Sequence, residues 1–205
     1  KIRGVQTVGM TAADIQARMH NIPKPSPKIE AMIIPQHVVI SINNPFFEEF
    51  RDKWDLWDQG LMFDLKDNRA VFPIFYKGIM IDAVGRALKG ANPKWLRYSG
   101  KADYFIAGTG STLVVVEDVI SAITVAKLGF TGMAILGTSL SDAHMSHLGE
   151  YQRIIVALDP DAAHKTLKYR QEIEAWTGLT TIALRLDDDI KYRVESDIEK
   201  LKEYL

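Results

Sequence analysis

The chain has no cysteine, no long apolar run and almost no net charge, and each absence excludes a class of protein. Without cysteine, its 205 residues can form neither a disulfide framework nor a thiolate zinc site. No stretch of 18 apolar residues occurs, so we expect no membrane span. The opening residues lack the apolar core of a signal peptide. A formal net charge of −1 leaves no overall polybasic character, and 47% hydrophobic residues suffice for a sizeable core.

The charges are balanced in number but unevenly distributed. Residues 1–110 contain 15 basic and 11 acidic residues, whereas residues 111–205 contain 10 and 15. Between residues 77 and 101 there is one acid, Asp82, and the basic residues are Lys77, Arg86, Lys89, Lys94, Arg97 and Lys101. A basic segment beside an acidic half suits a protein that holds a polyanion and also binds metal cations. A solvated surface explains the basic segment equally well.

The first part of the chain, residues 1–110, is predicted to be a small α+β subdomain. "TAADIQARMHN" predicts a short helix with Thr11 as its cap. "NPFFEEFRDKWDLW" predicts a second helix, and the spacing of its aromatic residues favours packing over base stacking. The runs "GLMFDL", "AVFPIFY" and "GIMIDAVGR" predict short strands of an antiparallel meander.

Residues 111–205 alternate between strand and helix patterns. "LVVVE" is a continuous apolar run, as expected for a strand that is buried on both faces. "TGMAILGT", "RIIVALD" and "TTIALRL" predict three more strands, each separated from the next by a helical segment. This alternation predicts an α/β domain with a mostly parallel four-stranded sheet flanked by helices. The boundary between the two parts falls near "IAGTGST".

Acidic residues follow three of the predicted strands. Glu117 closes the first, Asp159 and Asp161 follow the third, and residues 187–189 are three aspartates after the fourth. Ligands of open parallel sheets bind at the carboxyl ends of the strands, so these carboxylates are expected to converge there. Clustered carboxylate oxygens are what Mg²⁺ or Mn²⁺ requires. Singly, the acids have simpler explanations: Asp161 could cap the helix that begins at Ala162, and Glu117 could be solvated.

Other motifs carry weaker signals. "GTGST" at residues 108–112 lacks the lysine of a phosphate loop and precedes a strand, so we predict a turn. His144 and His147 could share a helix face, but no third zinc ligand is apparent, and we expect surface polar positions for both.

Three segments resemble the toprim domain of topoisomerases, DnaG-type primases and related nucleases. They are "LVVVEDVISAITVAKLG", "ILGTSLSD" and "IIVALDPDAAHK". Glu117 matches the toprim glutamate, and Asp159 and Asp161 match its Asp-x-Asp motif. Asp189 is similar to a later acidic position of primases, although Asp187 or Asp188 could fill it.

The preceding segment resembles primases in particular. Phe72-Pro73-Ile74, Gly85-Arg86 and Lys94-Trp95-Leu96 are similar to a primase pattern. Together the two parts resemble the RNA polymerase domain of a bacterial or phage DnaG-type primase, with the phage primase-helicase family most similar. The resemblance implies a nucleotidyltransferase that synthesises short RNA primers on single-stranded DNA with Mg²⁺ or Mn²⁺. It also implies ribonucleoside triphosphates as substrates, a cytoplasmic location in a bacterial cell or phage-infected host, and a replicative helicase and a zinc-ribbon module as partners. This chain has no cysteine with which to form that module.

The acid cluster beside the basic segment, taken together with this resemblance, assigns roles to individual residues. Glu117, Asp159 and Asp161 are the expected catalytic metal ligands, with Asp189 as a fourth. Arg86, Lys94 and Arg97 are expected to hold the triphosphate or the template, with Lys77 and Lys101 as outer contributors. A toprim-type nuclease and a non-catalytic module that holds single strands or docks a helicase are the alternatives.

The sequence departs from the family pattern at four positions. Pro160 and His164 stand where glycine is usual, Asp118 replaces a glycine that often follows the glutamate, and Ser121 occupies a position that is acidic in some relatives. Proline leaves both flanking carboxylates in place. The departures predict a metal site with fewer acids than in those relatives.

Overall fold

The computed structural model describes residues 30–40 and 42–205, and these residues form two five-stranded sheets with helices. The helix predicted from "TAADIQARMHN" lies outside the described residues. None of the described helices is long and apolar enough to cross a membrane.

The first sheet is an antiparallel meander, as the sequence predicts. Its strands follow chain order, and each pairs antiparallel with the next. They are β1 (Val38–Val39), β2 (Met62–Asp64), β3 (Arg69–Tyr76), β4 (Ile79–Ala87) and β5 (Trp95–Arg97). Helix α1 (Pro45–Trp54) lies between β1 and β2 in the chain, and the Asn44 side chain caps it by accepting hydrogen bonds from the backbone N–H groups of Phe46 and Phe47.

The aromatic residues of the "NPFFEEFRDKWDLW" segment mostly pack, as predicted. Phe47 is buried in the core, and Phe50 meets Phe72 of β3 edge-on, with ring centroids 6.4 Å apart. Trp54 packs on Tyr192, with centroids 5.6 Å apart. Trp57 lies beyond the helix and outside the core, but its ring packs against the Arg51 guanidinium, 3.7 Å from the ring centroid, and its indole N–H donates to Asp52.

The second sheet contains the predicted parallel strands. It consists of β6 (Tyr104–Ala107), β7 (Thr112–Val116), β8 (Thr131–Ile135), β9 (Arg153–Val156) and β10 (Thr181–Ala183), in the order β10-β9-β7-β8-β6. The last four strands in the chain are mutually parallel, which confirms the mostly parallel α/β sheet. A fifth strand, β6, was not predicted and pairs antiparallel with β8 at the edge of the sheet. The predicted domain boundary after residue 110 stays a prediction, although β6 joins this sheet from before it.

Helices cover both faces of the second sheet. They are α2 (Val119–Lys127), α3 (Asp142–Leu148), α4 (Ala163–Thr177) and α5 (Glu195–Lys202). Alternate residues of β7 point to opposite faces. Val114 and Val116 join a core that includes residues of α2, α5 and the first sheet, whereas Leu113 and Val115 join residues of α3 and α4. Every residue of β7 is buried, which explains its continuous apolar run.

Candidate metal and nucleotide site

Glu117 and Asp159 lie at the carboxyl ends of two neighbouring parallel strands. Glu117 follows β7 directly, and Asp159 lies three residues beyond the end of β9, with which β7 pairs in register. Burial and then the negative charge of Asp159 raise the pKa of Glu117 above its ordinary value, while Lys165 opposes them. Burial likewise raises the pKa of Asp159. The structure therefore brings these two predicted site residues together.

Asp161 lies in the same group but is exposed. It belongs to a short 3₁₀ turn, Pro160–Ala162, and its charge contributes to the raised pKa values of Glu117 and Asp159. Helix α4 begins after Ala162 without any side-chain cap, so the capping interpretation of Asp161 is wrong. Pro160 begins the turn and leaves Asp159 at ψ 151°, so the carboxylates of Asp159 and Asp161 both stay near the carboxyl ends of the parallel strands. The acidic residues near these strand ends form the acidic rim, which consists of Glu117, Asp118, Asp159, Asp161 and Asp189.

The carboxylates of Glu117, Asp159 and Asp161 accept no hydrogen bond and form no ion pair within the described part of the chain. Oxygen ligands in this state suit a divalent cation, which would offset their repulsion. However, no three acidic or histidine side chains within residues 30–40 and 42–205 form a ready-made metal site. The donor chemistry fits a divalent ion, and the side chains would have to turn towards it.

Asp189 is in a different state from these three acids. It is buried, it accepts a hydrogen bond of 2.9 Å from the Ser121 hydroxyl, and it pairs with the ammonium group of Lys191. The neighbouring Asp187 is exposed and pairs with Lys200, which lowers the pKa of Asp187. Asp188 is also exposed. Asp189 is thus the one of the three that reaches α2, and its role as a metal ligand stays a prediction.

Arg86 is the residue of the basic segment whose charge interacts with Asp118 of the acidic rim. It projects from β4 of the first sheet, is half-buried, and places its guanidinium over Trp95 at 5.3 Å from the ring centroid. Burial lowers the pKa of Arg86, and the negative charge of Asp118, adjacent to Glu117, opposes that effect. Its Nη1 atom is buried without a hydrogen-bond partner. A buried guanidinium nitrogen that has no protein partner is suited to donate hydrogen bonds to an anionic ligand.

Arg97 has a structural role in the fold. Its guanidinium pairs with the buried Asp82 at 3.1 Å and donates to the carbonyl oxygens of Ala102 and Leu136. These bonds join the end of β5 to the segment before β6 and to the residue that follows β8. The prediction that Arg97 holds nucleotide or template is untested, and we leave it out of the proposed binding set because those partners already engage it.

The other predicted basic residues are exposed. Lys94 precedes β5, Lys77 lies in the turn between β3 and β4 with its ammonium near the Tyr76 ring, and Lys101 follows β5. Their roles also stay predictions. Packing explains why residue 85 is a glycine, because a Cβ there would lie 3.0 Å from the ring of Tyr98. Close approach of a ligand is therefore not needed to explain it.

The two histidines of α3 are structural. His144 is buried, which makes the expected surface position wrong, and its Nδ1 accepts a hydrogen bond from the backbone N–H of Ser141 in a capping box. His147 is half-buried and stacks on Tyr104, with ring planes 12° apart. Burial lowers the pKa of both imidazoles.

Sequence reasoning missed two lysines of the site. Lys165, in the first turn of α4, partly offsets the charge around Glu117. Lys191 pairs with both Asp118 and Asp189. The signal for Lys191 was a lysine within two residues of three consecutive aspartates, but its distant partner Asp118 could not be inferred from that spacing.

The comparisons with known proteins agree with this geometry. Residues 114–187 match the family model described as Toprim-like. Residues 114–187, which include β8, β9, β10 and most of β7, therefore resemble Toprim-like proteins, as the sequence predicts. A search of curated proteins found no match.

Solved primase structures share the fold over a longer stretch. A DnaG primase catalytic domain bound to single-stranded DNA aligns with 22% identity and a TM-score of 0.51, covering 79% of this chain and 60% of that one. A DNA primase domain from Pseudomonas aeruginosa gives 20% identity, a TM-score of 0.53, and 78% and 60% coverage. The E. coli primase catalytic core gives 24% identity, a TM-score of 0.52, and 79% and 61% coverage. The chain therefore has the fold of DnaG-type primase catalytic cores, as predicted, and spans about 60% of their length.

The raised pKa of Glu117, which results from burial and then from the charge of Asp159, predicts a stability effect. An acid whose pKa is raised in the folded state contributes stability while protonated, and that contribution is lost as the pH rises through the folded-state pKa. In the absence of divalent ions at about pH 7.5, we expect Glu117→Gln to unfold roughly 1–2 °C higher than wild type, after allowing for solvent screening.

The pH dependence provides the control for this prediction. The difference between Glu117→Gln and wild type should shrink as the pH falls through the raised pKa of Glu117, and it should be small at about pH 4, below the ordinary pKa of a glutamate. Thermal unfolding followed by circular dichroism at several pH values measures it. A variant that is less stable than wild type at about pH 7.5 and equally so at about pH 4 would contradict the raised pKa of Glu117.

Proposed function

We propose that this chain is the RNA-polymerising part of a DnaG-type DNA primase, which joins ribonucleotides on a single-stranded DNA template. One observation carries the proposal: Arg86 of the antiparallel sheet approaches the acidic rim with an unpaired buried nitrogen, while Glu117, Asp159 and Asp161 have no cationic partner in direct contact. A triphosphate with a divalent ion satisfies both halves of this arrangement. The likeness to a primase domain bound to single-stranded DNA supports the choice of template.

The acids are assigned to metal binding. Glu117, Asp159 and Asp161 would hold Mg²⁺ or Mn²⁺, which supplies charge neutralisation and a lowered pKa for the attacking 3′-hydroxyl. Glu117 and Asp159 are fixed on the ends of buried strands, so the rigid sheet sets the position of their backbones. Asp161 is more exposed and completes the group from the turn that follows.

The basic side is assigned to phosphate binding. Arg86 would donate to phosphate oxygens through the buried Nη1 atom, and the fork of a guanidinium suits two parallel hydrogen bonds. Lys94, exposed in the turn before β5, would act as a point charge nearer to solvent. Lys77 and Lys101 stay outer contributors to template binding.

A priming assay tests the proposal. The protein is incubated with single-stranded DNA of mixed sequence, four ribonucleotides and Mn²⁺, and products are separated on a denaturing gel. We expect short RNA products that require both template and nucleotides. Shortened DNA in the absence of nucleotides would instead identify a nuclease, and neither product together with tight DNA binding would identify a non-catalytic module.

Replacing Arg86 should weaken substrate use without unfolding the protein. Arg86→Met keeps most of the stem that packs near Trp95 but removes the donors, and we expect kcat/KM for ribonucleotide to fall about 10- to 100-fold. Lys89→Met is the matched control, because Lys89 lies in the same basic segment with its ammonium over the Phe46 ring. Equal losses in the two variants would contradict a specific role for Arg86.

A further inference from the structure

Lys191 is a buried lysine at the centre of an acidic group. Its side chain is 8% exposed, and its Nζ lies 3.0 Å from Oδ2 of Asp118 and pairs with the carboxylate of Asp189. The two aspartates come from different elements, since Asp118 precedes α2 and Asp189 follows β10. One ammonium thus joins two carboxylates that are 71 residues apart in the chain.

Each member of this group is held by further contacts. The Asp118 side chain accepts a hydrogen bond of 2.9 Å from the backbone N–H of Ser121, and the Ser121 hydroxyl donates to Asp189. Lys191 lies in a 3₁₀ turn, Ile190–Tyr192, which is anchored by the contact of Tyr192 with Trp54 of α1. Such a group is positioned by the fold before any ligand arrives.

The group borders the candidate metal ligands. Asp118 directly follows Glu117 in the chain, at the carboxyl end of β7, and the ammonium group of Lys191 lies 3.0 Å from its Oδ2 atom. The acidic rim therefore has two adjoining parts. Glu117, Asp159 and Asp161 form a part without a direct cationic contact, and the Asp118–Lys191–Asp189 group is the part in which one ammonium pairs with two carboxylates.

We propose that the ammonium group of Lys191 is a built-in cation that takes the place of a second divalent ion, so that the rim binds one divalent ion instead of two. The inference rests on the proposed metal-binding role of the rim acids. Asp118 and Asp189 already share a buried cation, and a metal ion beside that ammonium would meet a like charge at low dielectric. The single ion binds in the part formed by Glu117, Asp159 and Asp161, and Lys191 is a positioning residue that keeps Asp118 and Asp189 away from it.

Counting bound Mn²⁺ ions tests the inference without any activity assay. The number of ions bound to the full 205-residue chain is measured by equilibrium dialysis or by the electron paramagnetic resonance of unbound Mn²⁺. We expect one ion in the wild type and two in Lys191→Met, which removes the ammonium but keeps most of the side-chain volume. The matched control is Lys200→Met, because Lys200 also pairs with two aspartates, Asp187 and Asp197, on another part of the domain. We expect one ion in this control.

The same counts distinguish failure of the inference from failure of the proposed function. Equal numbers of ions in Lys191→Met and wild type would overturn the inference whatever that number is. A wild type that binds no Mn²⁺ would contradict the proposed metal site, whereas one ion in the wild type and one in Lys191→Met would overturn the inference alone.

A second measurement covers the case in which Lys191→Met unfolds, since this variant leaves the buried Asp189 and the half-buried Asp118 without their cation. We expect Mn²⁺ at millimolar concentration to restore its folding, as measured by circular dichroism, because the ion supplies the positive charge that the Lys191 ammonium gives to Asp118 and Asp189 in the wild type. The double variant Asp189→Asn with Lys191→Met lacks one of the two carboxylates and should fold without metal and bind one ion. Absence of any restoration by Mn²⁺, or two ions bound to the double variant, would overturn the inference.

Discussion

Replacing Asp159 with asparagine should lower primer synthesis at least about 100-fold, because the amide removes a negative charge from the group proposed to hold the metal. The loss should appear in kcat, with Mn²⁺ binding weakened in parallel. Stability provides an independent readout. Burial raises the pKa of Asp159, so its ionised form is disfavoured in the folded protein, and the variant should be no less stable than wild type at neutral pH.

Asp58→Asn is the matched control for this substitution. Asp58 is exposed and lies near Lys127, outside the proposed site, so the same chemical change is expected to leave primer synthesis and Mn²⁺ binding unaltered. Undiminished synthesis in Asp159→Asn and in the double variant with Asp161→Asn would contradict the assignment of these acids to metal binding.

Replacing Gly132 with alanine should destabilise the protein by about 3 kcal/mol, near the upper end of the usual cost of overpacking. Gly132 lies in β8 under helix α2, and a Cβ there would be 2.2 Å from the carbonyl oxygen of Ala122 and 2.7 Å from its Cα. These are backbone atoms, so relief requires movement of the whole helix. Urea unfolding followed by fluorescence measures the effect.

The matched control for Gly132 is Gly149→Ala. Gly149 follows α3 with a helical φ of −64°, and a Cβ there would meet only ordinary contacts, the nearest at 3.7 Å. Its free energy of unfolding should stay within about 1 kcal/mol of wild type. An equally small effect of Gly132→Ala would contradict the close packing of α2 on β8.

Because Ser121 lies in α2 and Asp118 directly precedes it, Gly132→Ala should also disturb the contacts of Lys191 with Asp118 and Asp189.

The parallel sheet and part of the site could be predicted because their signals are local. The run at residues 113–116 is apolar throughout since β7 is buried on both faces, and acids at strand ends must lie at one edge of a parallel sheet. Glu117, Asp159 and Asp161 could therefore be named together. Strand β6 could not, because its four residues, Tyr104–Ala107, are too few to establish a periodicity, and its pairing with β8 is a tertiary contact.

The remaining parts of the site depend on contacts between distant segments. Nothing adjacent to Lys191 in the chain indicates that its ammonium reaches Asp118, and nothing near Arg97 indicates that Asp82, Ala102 and Leu136 engage it. A charge run gives the sign of a surface but does not distinguish structural from ligand-binding residues. Arg86 and Arg97 belong to the same run, but protein groups engage the guanidinium of Arg97, whereas the buried Nη1 atom of Arg86 has no hydrogen-bond partner.

Template-directed extension is the most direct test of the proposed function. A short oligoribonucleotide is annealed to DNA templates that differ in the next unpaired base, and each is incubated with one labelled ribonucleotide and Mn²⁺. We predict that wild type adds the complementary ribonucleotide and that the double variant Asp159→Asn with Asp161→Asn adds none. Absence of extension by the wild type on every template, or extension that ignores the template base, would contradict the proposal that this chain is a primase.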